Sequence, residues 1–307
     1  METKRRNGFR GALQRKGSVV PAVFNRIIVC GLFGFFVSSV HNLSKFGLSV
    51  SLPVWAGIIP TLVIGLLLAL RTKAAYERYL EGRKRWGNLI NTIQNQARQI
   101  WISVQEQEPV NRTEKLAAIR LLVAFAIAAK LHLRGEPVNT EVEPFLASEY
   151  YFELKNKHNP PLQIAFWIGD YLQEQCKYKR LTSHQLMSLQ KLLDRMVDSL
   201  GGCERIIKTP MPLAYAIHLK QLLLIYCLSL PFLLVSAFQW FTGPAVALIS
   251  FALLGIEEIS SELENPFGYD DNDLPLDTSC ETLLQNLEEV ISYESTTNNR
   301  QLTTVNY

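Results

Sequence analysis

Apolar residues in this chain are gathered into blocks instead of being spread at the period of a soluble helix or strand. The first block covers residues 19–40 and is interrupted only by Asn25 and Arg26 near its start, where a long cation can reach lipid headgroups. A second covers 52–70, a third 222–241 after a semi-polar lead-in over 212–221, and a fourth 244–256. Three of these have the length of a bilayer crossing. In the fourth, a buried or re-entrant helix competes with a true span. Gly243-Pro244, between the last two blocks, predicts a tight turn and a helical hairpin. A polar centre separates the two pairs. The pattern therefore predicts an all-α, multi-pass membrane protein with four membrane helices and a helical aqueous domain.

The second block runs without a break into the basic, aromatic stretch Arg71-Thr72-Lys73-Ala74-Ala75-Tyr76-Glu77-Arg78-Tyr79-Leu80-Glu81-Gly82-Arg83-Lys84-Arg85-Trp86. Glu81 precedes Arg85 by one helical turn, the favoured order for an ion pair along a helix. One long helix is expected, half in lipid and half in water.

The centre, 87–210, also reads as helical. Leu116, Ile119, Leu122, Val123, Ala126 and Ile127 recur at helical spacing, and so do Leu186, Leu189, Leu192, Leu193 and Met196. Asn111-Arg112-Thr113-Glu114 and Thr182-Ser183-His184 supply helix starts of the capping type. Residues 119–131 are apolar enough to suggest a fifth span. Their short run, ending in Lys130, His132 and Arg134, suits a buried core helix better.

Composition narrows the function classes. The chain has 307 residues, of which 48% are hydrophobic and 19% charged, a combination that fits a membrane protein with a large aqueous part. A net charge of +3 with no basic platform excludes nucleic acid as a partner. The five cysteines, Cys30, Cys176, Cys203, Cys227 and Cys280, have no metal-binding spacing and are expected to be reduced thiols. Lys4, Arg5, Arg6, Arg10, Arg15 and Lys16 resemble a signal n-region at first sight. The apolar stretch that follows is too long for a signal core, so a retained cytosolic tail is expected.

Orientation follows from the basic residues. They cluster before the first block and over 71–85, whereas the loop 41–51 has only Lys45 and the hairpin tip 239–243 has none. The positive-inside bias places both termini and the polar centre in the cytosol. The expected layout is a cytosolic segment 1–18, membrane helices 1 and 2 over 19–70, a helical cytosolic domain 71–210, membrane helices 3 and 4 over 211–256, and a cytosolic segment 257–307.

No nucleophile elbow, phosphate loop, zinc box or carboxylate pair is present, so an enzyme is not expected and no cofactor is assigned. His218 and Lys220 are polar candidates for lining an aqueous path, or they face the cytosolic rim. In the second block Ile59, Val63 and Leu67 share one helix face, while Leu62, Leu66 and Leu70 share its neighbour. Alone, either stripe faces lipid or another helix. Around a symmetry axis, one of them would form an aliphatic ring that gates by wetting and drying. Met211, between Pro210 and Pro212, is either held at a helix entrance or part of a passive linker. The acidic run after residue 255 offers oxygen ligands of the type calcium needs, but its spacing fails the EF-hand pattern, which favours a solvated turn.

Taken together, several of these motifs resemble the bestrophin family, specifically its bacterial branch. The resemblance rests on the stretch from Arg71 to Tyr79, on Glu81-Gly82-Arg83-Lys84-Arg85-Trp86-Gly87, on the Thr209-Pro210-Met211-Pro212-Leu213 turn, and on Pro266-Phe267-Gly268 followed by Asn272-Asp273-Leu274-Pro275-Leu276-Asp277. It implies a homopentamer with one ion pathway on the fivefold axis and a helical cytosolic domain. It also implies two constrictions. An apolar neck would be formed by Ile59 just before Pro60, with Val63 and Leu67, where family members often carry phenylalanine. A cytosolic aperture would be formed by Met211. Animal members carry a calcium clasp in the acidic run; here Asp270, Asp271 and Asp273 remain as candidates, but Tyr269 and Asn272 stand where acids are expected, and no metal is assigned.

The expected function is passive conduction of chloride and other small monovalent anions by a homo-oligomer in a bacterial cell membrane, its partners being small inorganic ions and the lipid bilayer. A sodium-selective or weakly selective cation channel of the same fold is the alternative. A membrane-anchored scaffold whose helical domain binds a partner is the reading from another class.

Overall fold

The computed structural model describes residues 17–43, 52–53, 57–107 and 109–304. Every regular element among them is helical. In chain order these are α1 (Val20–Leu43), α2 (Ile58–Ser103), α3 (Pro109–Arg134), α4 (Ser148–Leu154), α5 (Pro160–Lys177), α6 (Ser183–Lys208), α7 (Leu213–Phe238), α8 (Thr242–Glu264) and α9 (Leu276–Thr304), with single 3₁₀ turns at Glu143–Phe145 and Gln239–Phe241. The chain forms two compact units. One comprises Met1–Leu80 with Thr209–Asp273, the other Glu81–Lys208 with Leu274–Tyr307. The basic tail 1–16 and most of the loop carrying Lys45 lie outside the described residues.

In the first unit, α1, the front of α2, α7 and α8 are apolar over membrane length. A helix gains little from hiding its apolar surface from lipid, so packing must come from close backbone approach. α1 and α8 achieve this through glycine. A Cβ on Gly243 would lie 2.9 Å from Phe35 Cδ2 and 3.1 Å from the Gly31 carbonyl oxygen, and one on Gly34 would lie 3.2 Å from the Gly243 Cα. The core of this unit is built by Ile64 and Leu68 of α2, Leu219, Leu223, Tyr226 and Leu230 of α7, and Val246 of α8.

α2 is 46 residues long, which at 1.5 Å per residue is about 69 Å, far beyond the thickness of a bilayer's hydrocarbon core. Pro60 falls in its first turn, where a missing N–H costs nothing. Further on, Lys73–Glu77 and Glu81–Arg85 lie one turn apart, at 3.9 and 3.3 Å, and support the helix through its polar half.

The hairpin differs from expectation in where it turns. Gly243 and Pro244 belong to the first turn of α8, and the chain reverses at Gln239, whose φ is +47°. Pro244 needs no N–H there, so a dipeptide that breaks helices in mid-run is tolerated at an N-terminus. α8 also continues past residue 256 to Glu264, and α7 begins at Leu213.

The second unit is a helical core that encloses its own apolar surface. α3 is as apolar as the membrane-length helices, yet 72% of its apolar window is buried, against 17% for α1 and 22% for α2. Leu122, Ala124 and Phe125 of α3, Ile164, Ile168 and Leu172 of α5, and Leu189 and Met196 of α6 are all wholly enclosed. Two of this unit's helix starts are capped by side chains. Asn159 Oδ1 accepts from the Leu162 N–H at 3.2 Å, and Thr182 and Gln185 exchange backbone and side-chain bonds at 2.9 and 3.3 Å. α3 departs from expectation by starting at Pro109, which leaves Asn111 inside its first turn and buried. At its far end Lys130 pairs with Glu141 and with Asp277 Oδ1 (2.8 Å), while Arg134 grips both Asp277 oxygens at 3.1 and 2.7 Å. These contacts anchor the first turn of α9.

Candidate ion pathway

α2 has two unlike faces. Ile64, Leu68, Arg71 and Ala75 recur at helical spacing and are buried within the first unit. On the opposite side Ile59 is 73% and Val63 48% exposed, an aliphatic face that the chain itself leaves uncovered. Leu67 sits at the edge of this face, half-buried against the core cluster. Leu62, Leu66 and Leu70 are likewise uncovered, so the second stripe lies on the open side of the helix throughout and the first does so at Ile59 and Val63.

Where the apolar part of α2 ends, α8 presents a ladder of acidic and hydroxyl groups. The Arg71 Nη1 donates to Glu257 Oε1 at 3.0 Å, with the two side chains only 1% and 3% exposed. Lys220 Nζ lies 3.7 Å from the same oxygen. One turn on, Thr72 Oγ1 and Ser260 Oγ share a hydrogen bond of 2.8 Å. Arg26 Nη1 donates to Glu258 at 3.2 Å, so α1 is tied to the same helix end. A charge buried without a partner costs several kcal/mol, which is why the buried Arg71 meets an acid of α8.

Met211 follows directly. Its backbone N–H donates to Glu264 Oε1 at 3.0 Å. Arg78 spans the same corner, with Nε donating to the Glu264 carbonyl at 2.7 Å and Nη1 to the Thr209 carbonyl at 2.6 Å. Of the two polar candidates on α7, Lys220 points toward Glu257 while His218 is exposed.

The calcium candidates are engaged otherwise. Asp271 Oδ2 accepts from the Gly17 N–H at 3.0 Å, and Asp273 Oδ2 from the Asp270 N–H at 2.9 Å. Asn272 Nδ2 donates to Glu262 Oε2 at 2.9 Å and to the Gly17 carbonyl at 3.3 Å. Among the described residues no three acidic, histidine or cysteine side chains converge on a metal-sized point. Asp271 and Asp273, through their carboxylates, and Asp270, through its N–H, take part in a hydrogen-bonded turn.

The sequence reading missed the ladder. It took the acids after residue 255 as a solvated run, whereas Glu257, Glu258, Glu262 and Glu264 each hold a named partner. A signal was available: Arg26, Arg71 and Lys220 stand at the polar margins of the other apolar helices, and each pairs with an acid of α8.

In the second unit, ionisable groups are arranged for stability. Arg134 first, then Lys130, holds the Asp277 carboxyl down to about 2 against partial burial. Burial pushes the Cys203 and Cys280 thiols up to about 12, so neither is poised as a nucleophile. All five cysteines are free thiols.

Residues 1–289 match the family model described as bacterial/fungal bestrophin protein. A voltage-dependent anion channel-forming protein of Nostoc is 52% identical over 292 residues, covering 95% of this chain and 94% of its own. A protein of the same description from Synechocystis is 49% identical over 279 residues, covering 91% and 90%. Among solved structures, a bacterial bestrophin homolog from Klebsiella pneumoniae superposes with a TM-score of 0.80 at 26% identity, over 87% of this chain and 97% of that one. Helices of membrane length and apolarity, together with these relatives, identify an integral membrane protein of channel type. The chain belongs to the bacterial/fungal bestrophin family.

Proposed function

We propose that this chain forms a homopentameric channel that passively conducts chloride and other small monovalent anions. Five copies of α2 surround the axis, and Ile59, Val63 and Leu67 form the neck. Met211 forms a second constriction, the aperture, on the cytosolic side. Both termini and the second unit lie in the cytosol of a bacterial cell, in keeping with the basic residues that follow the apolar half of α2.

The observation that carries this reading is the uncovered aliphatic face of α2 at Ile59 and Val63, in a chain whose relatives are named anion channel-forming proteins. A ring of such side chains holds water poorly. Ions cross when it is wet and stop when it dries. The neck carries no charge, so it discriminates by the cost of stripping water from an ion. Larger, weakly hydrated anions pass at less cost than chloride.

Reversal potentials of the purified protein in planar bilayers under a sodium chloride gradient test the proposal. The expected potential lies toward the chloride equilibrium value. A shift toward the sodium value would replace it with the cation-channel reading, and silent bilayers from intact oligomers would favour a scaffold.

A further inference from the structure

Met211 sits in a turn with an unusual shortage of hydrogen-bond donors. Pro210 and Pro212 have no N–H, so the Met211 N–H is the only backbone donor from residue 210 to 212. That donor goes to Glu264 Oε1 at 3.0 Å. The carbonyl just before the turn, that of Thr209, accepts from Arg78 Nη1, and the Nε of the same guanidinium binds the Glu264 carbonyl. One glutamate, through its side chain and its backbone, thus connects both sides of the turn to the end of α8. α7 starts immediately afterwards with Pro212 as its N-cap and no capping side chain. The carboxylate of Glu264 lies beside that bare N-terminus, where the helix dipole favours negative charge.

We infer that Glu264 is the positioning residue of the Met211 constriction: by accepting the turn's only N–H it fixes the backbone from which the methionine reaches into the ion pathway. This rests on the assignment of Met211 to the aperture made above. Methionine has three flexible side-chain torsions, so a constriction built from it depends on how firmly its backbone is held. Prolines on both sides fix their own φ angles but not the tilt of the Met211 peptide plane. Glu264 supplies that missing restraint, and Arg78 carries it to α2, the helix that bears the neck. Aperture and neck therefore share one polar joint.

The test compares relative anion permeabilities of the reconstituted full chain, measured as bi-ionic reversal potentials for propionate against chloride. Three variants are needed: Glu264→Ala, which removes the acceptor; Glu264→Gln, which keeps an acceptor oxygen without charge; and Met211→Ala, which removes the constricting side chain. Glu264→Ala is expected to change the propionate-to-chloride permeability ratio several-fold, in the same direction as Met211→Ala, while Glu264→Gln keeps the wild-type ratio. If Met211→Ala leaves the ratio unchanged, the aperture assignment itself is wrong. If Met211→Ala changes it and Glu264→Ala does not, Glu264 has no positioning role. A ratio altered equally by Gln and Ala would make charge, not the hydrogen bond, the cause, and would overturn the inference. A purely structural role would lower the number of active channels at a constant ratio, which would also overturn it. Should Glu264→Ala fail to assemble, Glu264→Asp, with a carboxylate one methylene short, is expected to shift the ratio in the same direction, and an unshifted ratio there overturns the inference equally.

Discussion

Arg71 and Glu257 form a buried ion pair, 3.0 Å from guanidinium to carboxylate, at the point where α2 changes from apolar to polar. The pair lets α2 keep its charge at this depth: arginine satisfies its own desolvation only if an acid is carried to the same level on α8. Lys220, 3.7 Å away and largely exposed, adds a second cation to the same oxygen.

Removing one member of this pair strands the other. Glu257→Leu is expected to cost about 3–5 kcal/mol, the usual penalty for an unpaired buried charge. The double variant Arg71→Met with Glu257→Leu should recover most of that loss. Thermal unfolding of detergent-purified protein checks this, and equal destabilisation of the single and double variants would contradict it.

Replacing Val63 and Leu67 together by alanine should widen the neck and raise single-channel conductance. Shorter side chains also expose more backbone to water, so the ring dries less readily. Unitary currents in planar bilayers provide the measurement. Unchanged currents would remove these two residues from the pathway.

Gly243→Ala is expected to weaken the packing of α1 on α8. Its methyl would meet the Gly31 carbonyl oxygen at 3.1 Å, and backbone cannot swing aside as a side chain can. Overpacking of this sort costs about 1–3 kcal/mol. A lower melting temperature at unchanged second-unit helicity is the expected readout.

Asp277 makes the second unit's stability depend on acid. Its carboxyl is held at about 2, below its ordinary value of 3.8, by hydrogen bonds from Arg134 and Lys130. A group with a depressed folded value contributes stability that is fully present above its unfolded pKa and is lost as pH falls through its folded pKa. The melting-temperature gap between wild type and Asp277→Asn should therefore be constant from pH 7 down to about 5 and shrink below about 4. A gap that persists undiminished to pH 3 would mean the carboxylate charge is not what holds α9 in place.

Much of the fold was readable from local patterns because membrane-length apolar runs and helical spacing are local properties. The continuity of α2 followed from charges one turn apart, and Glu81–Arg85 does pair at 3.3 Å. The preference for a core helix over a fifth span rested on the Lys130, His132 and Arg134 that end the apolar run; the apolar window of α3 is 72% buried, and Lys130 finds acids within the second unit. What escaped was non-local. Nothing in the sequence near Gly243-Pro244 reveals that α8 begins at Thr242, because a proline that ends one helix can equally start the next. The acids of α8 looked solvated because their partners, Arg26, Arg71 and Met211, lie far away in the chain. The role of Glu264 was hidden for the same reason: it acts on a backbone N–H, which no residue type signals.

In the proposed channel, identical subunits gather so that the open face of α2 encloses a pathway. Electron cryomicroscopy of the protein in lipid nanodiscs tests it most directly, by showing both the number of subunits and the direction of the Ile59, Val63 and Leu67 side chains. The expected result is a fivefold ring with these three residues lining the axis. A monomer, or a ring whose Ile59, Val63 and Leu67 face outward to lipid, would contradict it.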